Sequence, residues 1–148
     1  IAHPDKLVIH IAGEASVLMT MQEMSTAVQY KLPIKIFILN NQYMGMVRQW
    51  QELLHEKNYS ESYTAALPDF VKLAEAYGCV GIQATKPDEL DEKINEMINT
   101  KEPVIFDCRV DPAENCYPMI PSGKPHNQML LGPEDEKEEV TDEGKTLV

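Results

Sequence analysis

Long apolar runs, paired cysteines and a surplus of basic charge are all missing from this 148-residue chain. Each absence removes a class of protein. No stretch approaches the ~20 apolar residues that a membrane helix requires, so no membrane partner is expected. The first residues lack the pattern of a signal peptide. The three cysteines, Cys79, Cys108 and Cys116, are odd in number and form no CxxC pair. They read as reduced, mostly buried thiols of a cytoplasmic protein. A formal net charge of −11 argues against nucleic acid, whose phosphates demand basic patches. The histidines, His3, His10, His55 and His126, show no metal-ligand spacing and read as surface or hydrogen-bonded structural residues. No internal repeat is visible.

What is present suits one globular domain with a real core, at 43% hydrophobic and 25% charged residues. The charge is uneven. Residues 133–148 hold seven acidic and two basic side chains, a net of −5, and Glu134 to Glu139 has no apolar residue. Residues 1–132 are therefore expected to form the domain, with 133–148 a solvated, disordered acidic tail. The opening Ile1-Ala2-His3-Pro4-Asp5 runs at once into an apolar segment, so the chain reads as a fragment cut from a longer protein.

Leu7 to Ala12 is short, apolar and bounded by Pro4 and Gly13, the pattern of a buried strand. Gly13 to Ser16 follows as a tight turn. Val17 to Tyr30 contains no Gly or Pro, and Val17, Met21, Met24 and Val28 share a helical face, predicting one helix. Met19, Met21, Met24 and Met129 read as packing residues. Ile34 to Leu39 predicts a second strand. The polar loop Asn40 to Gly45 leads into a helix from about Met46 to Leu54, and 56–67 reads as irregular. Phe70, Leu73, Ala74 and Tyr77 predict a helix with Asp69 at its start and Gly78 at its stop. Cys79 to Thr85 reads as a third strand. Asp88 and Glu89 open a helix carrying Leu90, Ile94, Met97 and Ile98, and Val104 to Val110 is a fourth strand.

Strands alternating with helices imply a three-layer α/β/α fold with a mainly parallel sheet. Ligands of such sheets bind at the carboxyl ends of strands, where the turns Gly13–Ser16 and Asn40–Gly45 fall. The first turn offers small residues, the Ser16 hydroxyl and a helix start, an arrangement suited to an anion. It also carries the Glu14 carboxylate, while the second supplies the Asn41 amide and main-chain carbonyls. One carboxylate with neutral oxygens suits Mg²⁺, which binds through few carboxylates together with phosphates. A diphosphate bridged by Mg²⁺ is the natural occupant. Glu14 as a plain helix-start charge is the alternative.

Gly13-Glu14-Ala15-Ser16 followed by Asn40-Asn41 resembles the thiamine-diphosphate (ThDP) motif, Gly-Asp-Gly or Gly-Asp-Ala-Ser followed just under thirty residues later by Asn-Asn. Gly45-Met46-Val47-Arg48-Gln49-Trp50 and Pro118-Met119-Ile120-Pro121-Ser122-Gly123 are similar to segments of acetolactate synthase catalytic subunits. The resemblance runs from Asp5 to about Leu131. It implies Mg²⁺ ligands at Glu14, Asn41 and the main-chain oxygen of Tyr43. It implies cofactor contacts from Gly13, Ala15, Ser16, Met44, Gly45 and Met46. Met46, Val47 and Trp50 would face the reacting groups, although Trp50 taken alone reads as a core aromatic. Ser122 and Gly123 would belong to a segment closing over the site. The family usually has Asp where Glu14 stands and is often acidic where His10 stands.

The resemblance further implies an enzyme that joins pyruvate with pyruvate or 2-oxobutyrate, losing CO₂, in branched-chain amino acid biosynthesis. FAD and the proton-relay glutamate would lie in other domains, so binding without turnover is expected from this chain alone. A homo-oligomer, dimer or tetramer, with a regulatory small subunit is implied as well. A sister enzyme of the pyruvate oxidase or sulfoacetaldehyde acetyltransferase type, or an assembly domain with a vestigial site, are the alternatives.

Overall fold

The computed structural model describes residues 6–133, so the expectation of a disordered tail lies almost wholly outside the described residues. These fall into two compact units, one of residues 6–42 and 65–112 and the other of 43–64 and 113–133. The first unit runs β1 (Ile9–Gly13), α1 (Glu14–Thr20), a 3-10 turn, α2 (Met24–Gln29) and β2 (Lys35–Asn40). After the excursion into the second unit, where α3 (Gly45–Leu54) lies, it resumes with α4 (Phe70–Tyr77), β3 (Val80–Ala84), α5 (Leu90–Asn99) and β4 (Val104–Arg109). The four strands are parallel in the order β1-β2-β4-β3. The α/β fold expected from alternating elements is the fold observed.

Strand alternation divides the core into two clusters. Ile36, Ile38 and Ile105 face one way, onto Val17, Met24, Ala27, Phe70 and Ala74 of α1, α2 and α4. Val104, Phe106 and Cys108 face the other way with Ile82 and Ala84, onto Met97 of α5. α4 approaches β3 so closely that a Cβ at Gly81 would meet Val71 backbone atoms at 2.8 Å. Its ends are set as the sequence suggests. Asp69 accepts the N–H groups of Val71 and Lys72, bonds that hold its carboxyl below the usual range, and Gly78 closes the helix with φ 82°.

Several expectations are corrected. The first strand is not buried, since Leu7, Val8, Ile9 and Ile11 are exposed. Among the described residues it is one of the sheet's two edge strands, and the helices of the first core cluster pack mainly over the strands beyond it. The single helix over Val17–Tyr30 is two helices. The backbone leaves α1 at the β-branched Thr20 (φ −135°, ψ 15°), and the 3-10 turn re-aims the chain so that Met24 and Ala27 are buried. Met19 consequently points outward, 75% exposed, while Met21 and Met129 are half-buried. The helix opened by Asp88 and Glu89 begins with a 3-10 turn and becomes α-helical at Leu90, and its Ile98 is exposed. Among the cysteines, Cys79 and Cys108 are buried and Cys116 is exposed. Burial raises both buried thiols, that of Cys108 further because of Asp107, so neither is a ready thiolate.

Lys35 opens β2 at 1% exposure, a charged residue inside a sheet. Its ammonium donates to the carbonyls of Thr100 (2.6 Å) and Glu102 (2.7 Å), just past the C-terminus of α5. Desolvation lowers its pKa, and Glu102 acts in the opposite direction. Lys35→Met leaves those carbonyls without their donor and is expected to cost about 1–3 kcal/mol. Urea unfolding of the variant beside the parent measures it, and an unchanged midpoint would show that the two bonds are worth nothing net.

Candidate functional site

Both predicted turns leave the carboxyl ends of adjacent parallel strands. Gly13 ends β1 in register with Leu39, and Asn40 ends β2 one residue later. The first is not a separate turn: α1 begins directly at Glu14, which places Ala15 and Ser16 in its first turn. Gly13 itself is extended (φ −82°, ψ 161°), and the nearest atom to a Cβ built there would be Ser16 Oγ at 3.9 Å. Among the described residues the approach to Gly13 is therefore not crowded. Glu14 is 2% exposed, Ala15 half-buried and Ser16 exposed. Asn41 is half-buried beside Gln42, whose φ of 62° is left-handed.

A polar group that the sequence reading missed holds the end of β2. Asn40, fully buried, donates from Nδ2 to Asp107 Oδ1 (2.8 Å) and accepts the Gln42 N–H on Oδ1 (3.2 Å). The other Asp107 oxygen accepts from Gln83 Nε2 (2.9 Å) and lies 3.3 Å from Arg109 Nε. The only signal of this in the sequence is a carboxylate inside the apolar run Val104–Val110.

The remaining expected residues belong to the second unit. Tyr43 forms an antiparallel bridge with Tyr63, their rings 5.1 Å apart, and the Met44 N–H donates to Ser62 O at 2.8 Å. The segment read as irregular thus positions these two residues. α3 starts at Gly45, with Met46 (53% exposed) and Val47 on its open side and Trp50 half-buried. Within Gly45–Trp50 the buried side chains are Arg48 and Gln49. Arg48 pairs with Glu52 (2.7 Å) and donates to Asn115, while Gln49 holds both the N–H and the carbonyl of Cys116. The polar centre of the Gly45–Trp50 segment is thus structural, and Met46 and Val47 are the apolar members left accessible. Pro121 to Lys124 closes as a turn, with Gly123 at φ 79° and Lys124 N–H donating to Pro121 O.

In the first unit, then, one buried carboxylate and one amide follow neighbouring strand ends, a donor set for a hard cation of the Mg²⁺ kind. Among the described residues no three His, Cys, Asp or Glu side chains form a metal cluster, a pattern this donor set does not use. No helix of the described residues is long and apolar enough to cross a membrane. A cavity of about 250 Å³ in the first unit, lined in part by His10, Thr20, Met24 and Ile36, includes none of the expected site residues.

Residues 1–108 match the family described as thiamine pyrophosphate enzyme, C-terminal TPP binding domain. The chain is 50% identical over 131 residues to the acetolactate synthase large subunit of Cyanidium caldarium, covering 88% of this chain and 22% of that protein. It is 44% identical over 138 residues to the acetolactate synthase large subunit of Haemophilus influenzae, covering 93% and 24%. The chain therefore spans less than a quarter of the length of these relatives. Among solved structures, the thiamine diphosphate-dependent 4-hydroxybenzoylformate decarboxylase of Rhodococcus jostii RHA1 is similar, with a TM-score of 0.68 and 28% identity over 74% of this chain and 21% of that one.

Proposed function

The chain belongs to the family of thiamine pyrophosphate enzyme C-terminal TPP-binding domains, and from that premise we propose that it holds the Mg²⁺-diphosphate of ThDP within an enzyme of the acetolactate synthase type. The observation that carries this reading is the emergence of Gly13-Glu14-Ala15-Ser16 and Asn40-Asn41 from the carboxyl ends of two adjacent parallel strands. Glu14 and Asn41 are the proposed side-chain ligands. The third ligand is the main-chain oxygen of Tyr43, two residues further along the chain. Gly13, Ala15, Ser16, Met44 and Gly45 contact the cofactor, and Met46, Val47 and Trp50 approach the reacting groups. The exposure of Met46 and Val47 agrees with such a role.

Bound ThDP supplies the nucleophilic carbon with which two 2-oxo acids join as CO₂ is lost, while these residues bind and orient it. Pyruvate, alone or with 2-oxobutyrate, is the proposed substrate. The whole protein is proposed to be a cytoplasmic homo-oligomer, a dimer or tetramer, that carries FAD elsewhere and accepts a regulatory small subunit. Identities of 44–50% to acetolactate synthase subunits, against 28% to the decarboxylase, favour this chemistry over a sister reaction.

Glu14 provides the test, because it is one methylene longer than the family aspartate and Mg²⁺ tolerates little error around ~2.1 Å. Calorimetric titration of the intact protein with ThDP, with and without Mg²⁺, is expected to show Mg²⁺-dependent binding that stays within a few-fold in Glu14→Asp. Binding that appears only in the aspartate variant would identify a vestigial site and end the enzymatic reading.

A further inference from the structure

We propose that Asp107 is a positioning residue for the metal-binding turn, acting through Asn40; this rests on the reading of Asn41 as an Mg²⁺ ligand. The register of the sheet assembles the group. Gln83 lies directly opposite Asp107 on β3, Asn40 lies diagonally across on β2, and Arg109 lies two residues along β4. All four share the face that carries Ile36, Ile38 and Ile105 lower in the sheet. At the carboxyl end this apolar face is thus replaced by one carboxylate, 1% exposed, on which three N–H donors converge.

The consequence lies in which way the Asn40 amide faces. An amide has one accepting and one donating end, and a carboxylate ringed by donors only accepts. Asp107 therefore takes Nδ2, and Oδ1 is left to face the Gln42 N–H. That bond spans Asn41, and Gln42 beyond it is left-handed. Asn41 is held between a clamped residue and a turn whose geometry the clamp selects. The main chain adds a second tie, since Val110 N–H donates to Asn40 O at 3.1 Å. Without the acceptor at 107, Asn40 Nδ2 is buried with no fixed partner and its amide is free to reverse. Oδ1 then no longer caps Gln42.

The experiment is ThDP titration of the intact protein at low and at saturating Mg²⁺, with thermal unfolding of the cofactor-free protein measured beside it. Asp107→Leu removes the acceptor and is expected to weaken binding ~10-fold or more at low Mg²⁺, recovering at high Mg²⁺ because the ligands themselves remain. The reciprocal exchange, Asn40→Asp with Asp107→Asn, keeps one carboxylate and one amide. The amide, now on β4, donates to the carboxylate, now on β2, whose second oxygen still accepts the Gln42 N–H. Binding by this double variant is expected within a few-fold of the parent. Should Asp107→Leu fail to fold, Asn40→Leu removes the same bond from its other end. A folded Asp107→Leu or Asn40→Leu that binds like the parent, where Glu14→Ala binds weakly, overturns the positioning role alone. Parental binding in Glu14→Ala overturns the metal reading and this inference with it.

Discussion

Replacing Glu14 by alanine is expected to weaken Mg²⁺-dependent ThDP binding at least ~10–100-fold, while activity at saturating ThDP falls much less. Even partners of metal ligands cost that much when removed, so a proposed ligand sets the lower bound. Glu14 is buried at the first position of α1, and alanine there also empties space in the packing. Glu14→Gln separates the two effects, because it keeps the volume and removes the charge that a hard cation needs. If the charge matters, glutamine loses binding nearly as far as alanine does, with an unfolding temperature closer to the parent's. The measurement is a ThDP titration at several Mg²⁺ concentrations. A Glu14→Gln variant with the parent's Mg²⁺ dependence would remove Glu14 from the metal site.

The second large effect concerns stability. Phe106 lies within β4, an interior strand, fully buried, with its ring 4.7 Å from that of Phe37 in an edge-on arrangement. Phe106→Ala is expected to cost about 3–5 kcal/mol, the range for buried aromatic truncations that leave a cavity. Domains are stable by only about 5–15 kcal/mol, so the variant will stand near its unfolding threshold at room temperature. Phe106→Leu retains most of the volume and should lose less than half as much. Urea unfolding followed by circular dichroism gives both values. Equal losses would mean that ring geometry, not filled volume, sets the stability at this site.

These predictions differ in how far they can be read from the chain alone. Glu14 and Asn41, the proposed ligands, stand out in the sequence because a ligand-binding turn must be local. Few residues supply a close backbone approach, a carboxylate and an amide at fixed offsets from strand ends. The strands after Pro33 and Pro103 were legible for a similar reason, since buried parallel strands are continuous apolar runs. The same rule misled at Leu7–Ala12, where the run has the composition of a buried strand and the structure gives it an edge. Burial is a property of neighbours, and composition records only what a residue would tolerate.

Hydrophobic periodicity, the turn residues and the paired motif by themselves determined the α/β class, the element order and the strand ends at which the site is proposed. Tertiary structure alone decided the break between α1 and α2, the ammonium of Lys35 seated on the carbonyls of Thr100 and Glu102, and the convergence of Asn40, Gln83 and Arg109 on Asp107. Asn40 and Asp107 are 67 residues apart. Their bond exists because β4 inserts between β2 and β3, and strand order is chosen by the packing of helices on both faces of the sheet, a sum over distant contacts that no local pattern encodes.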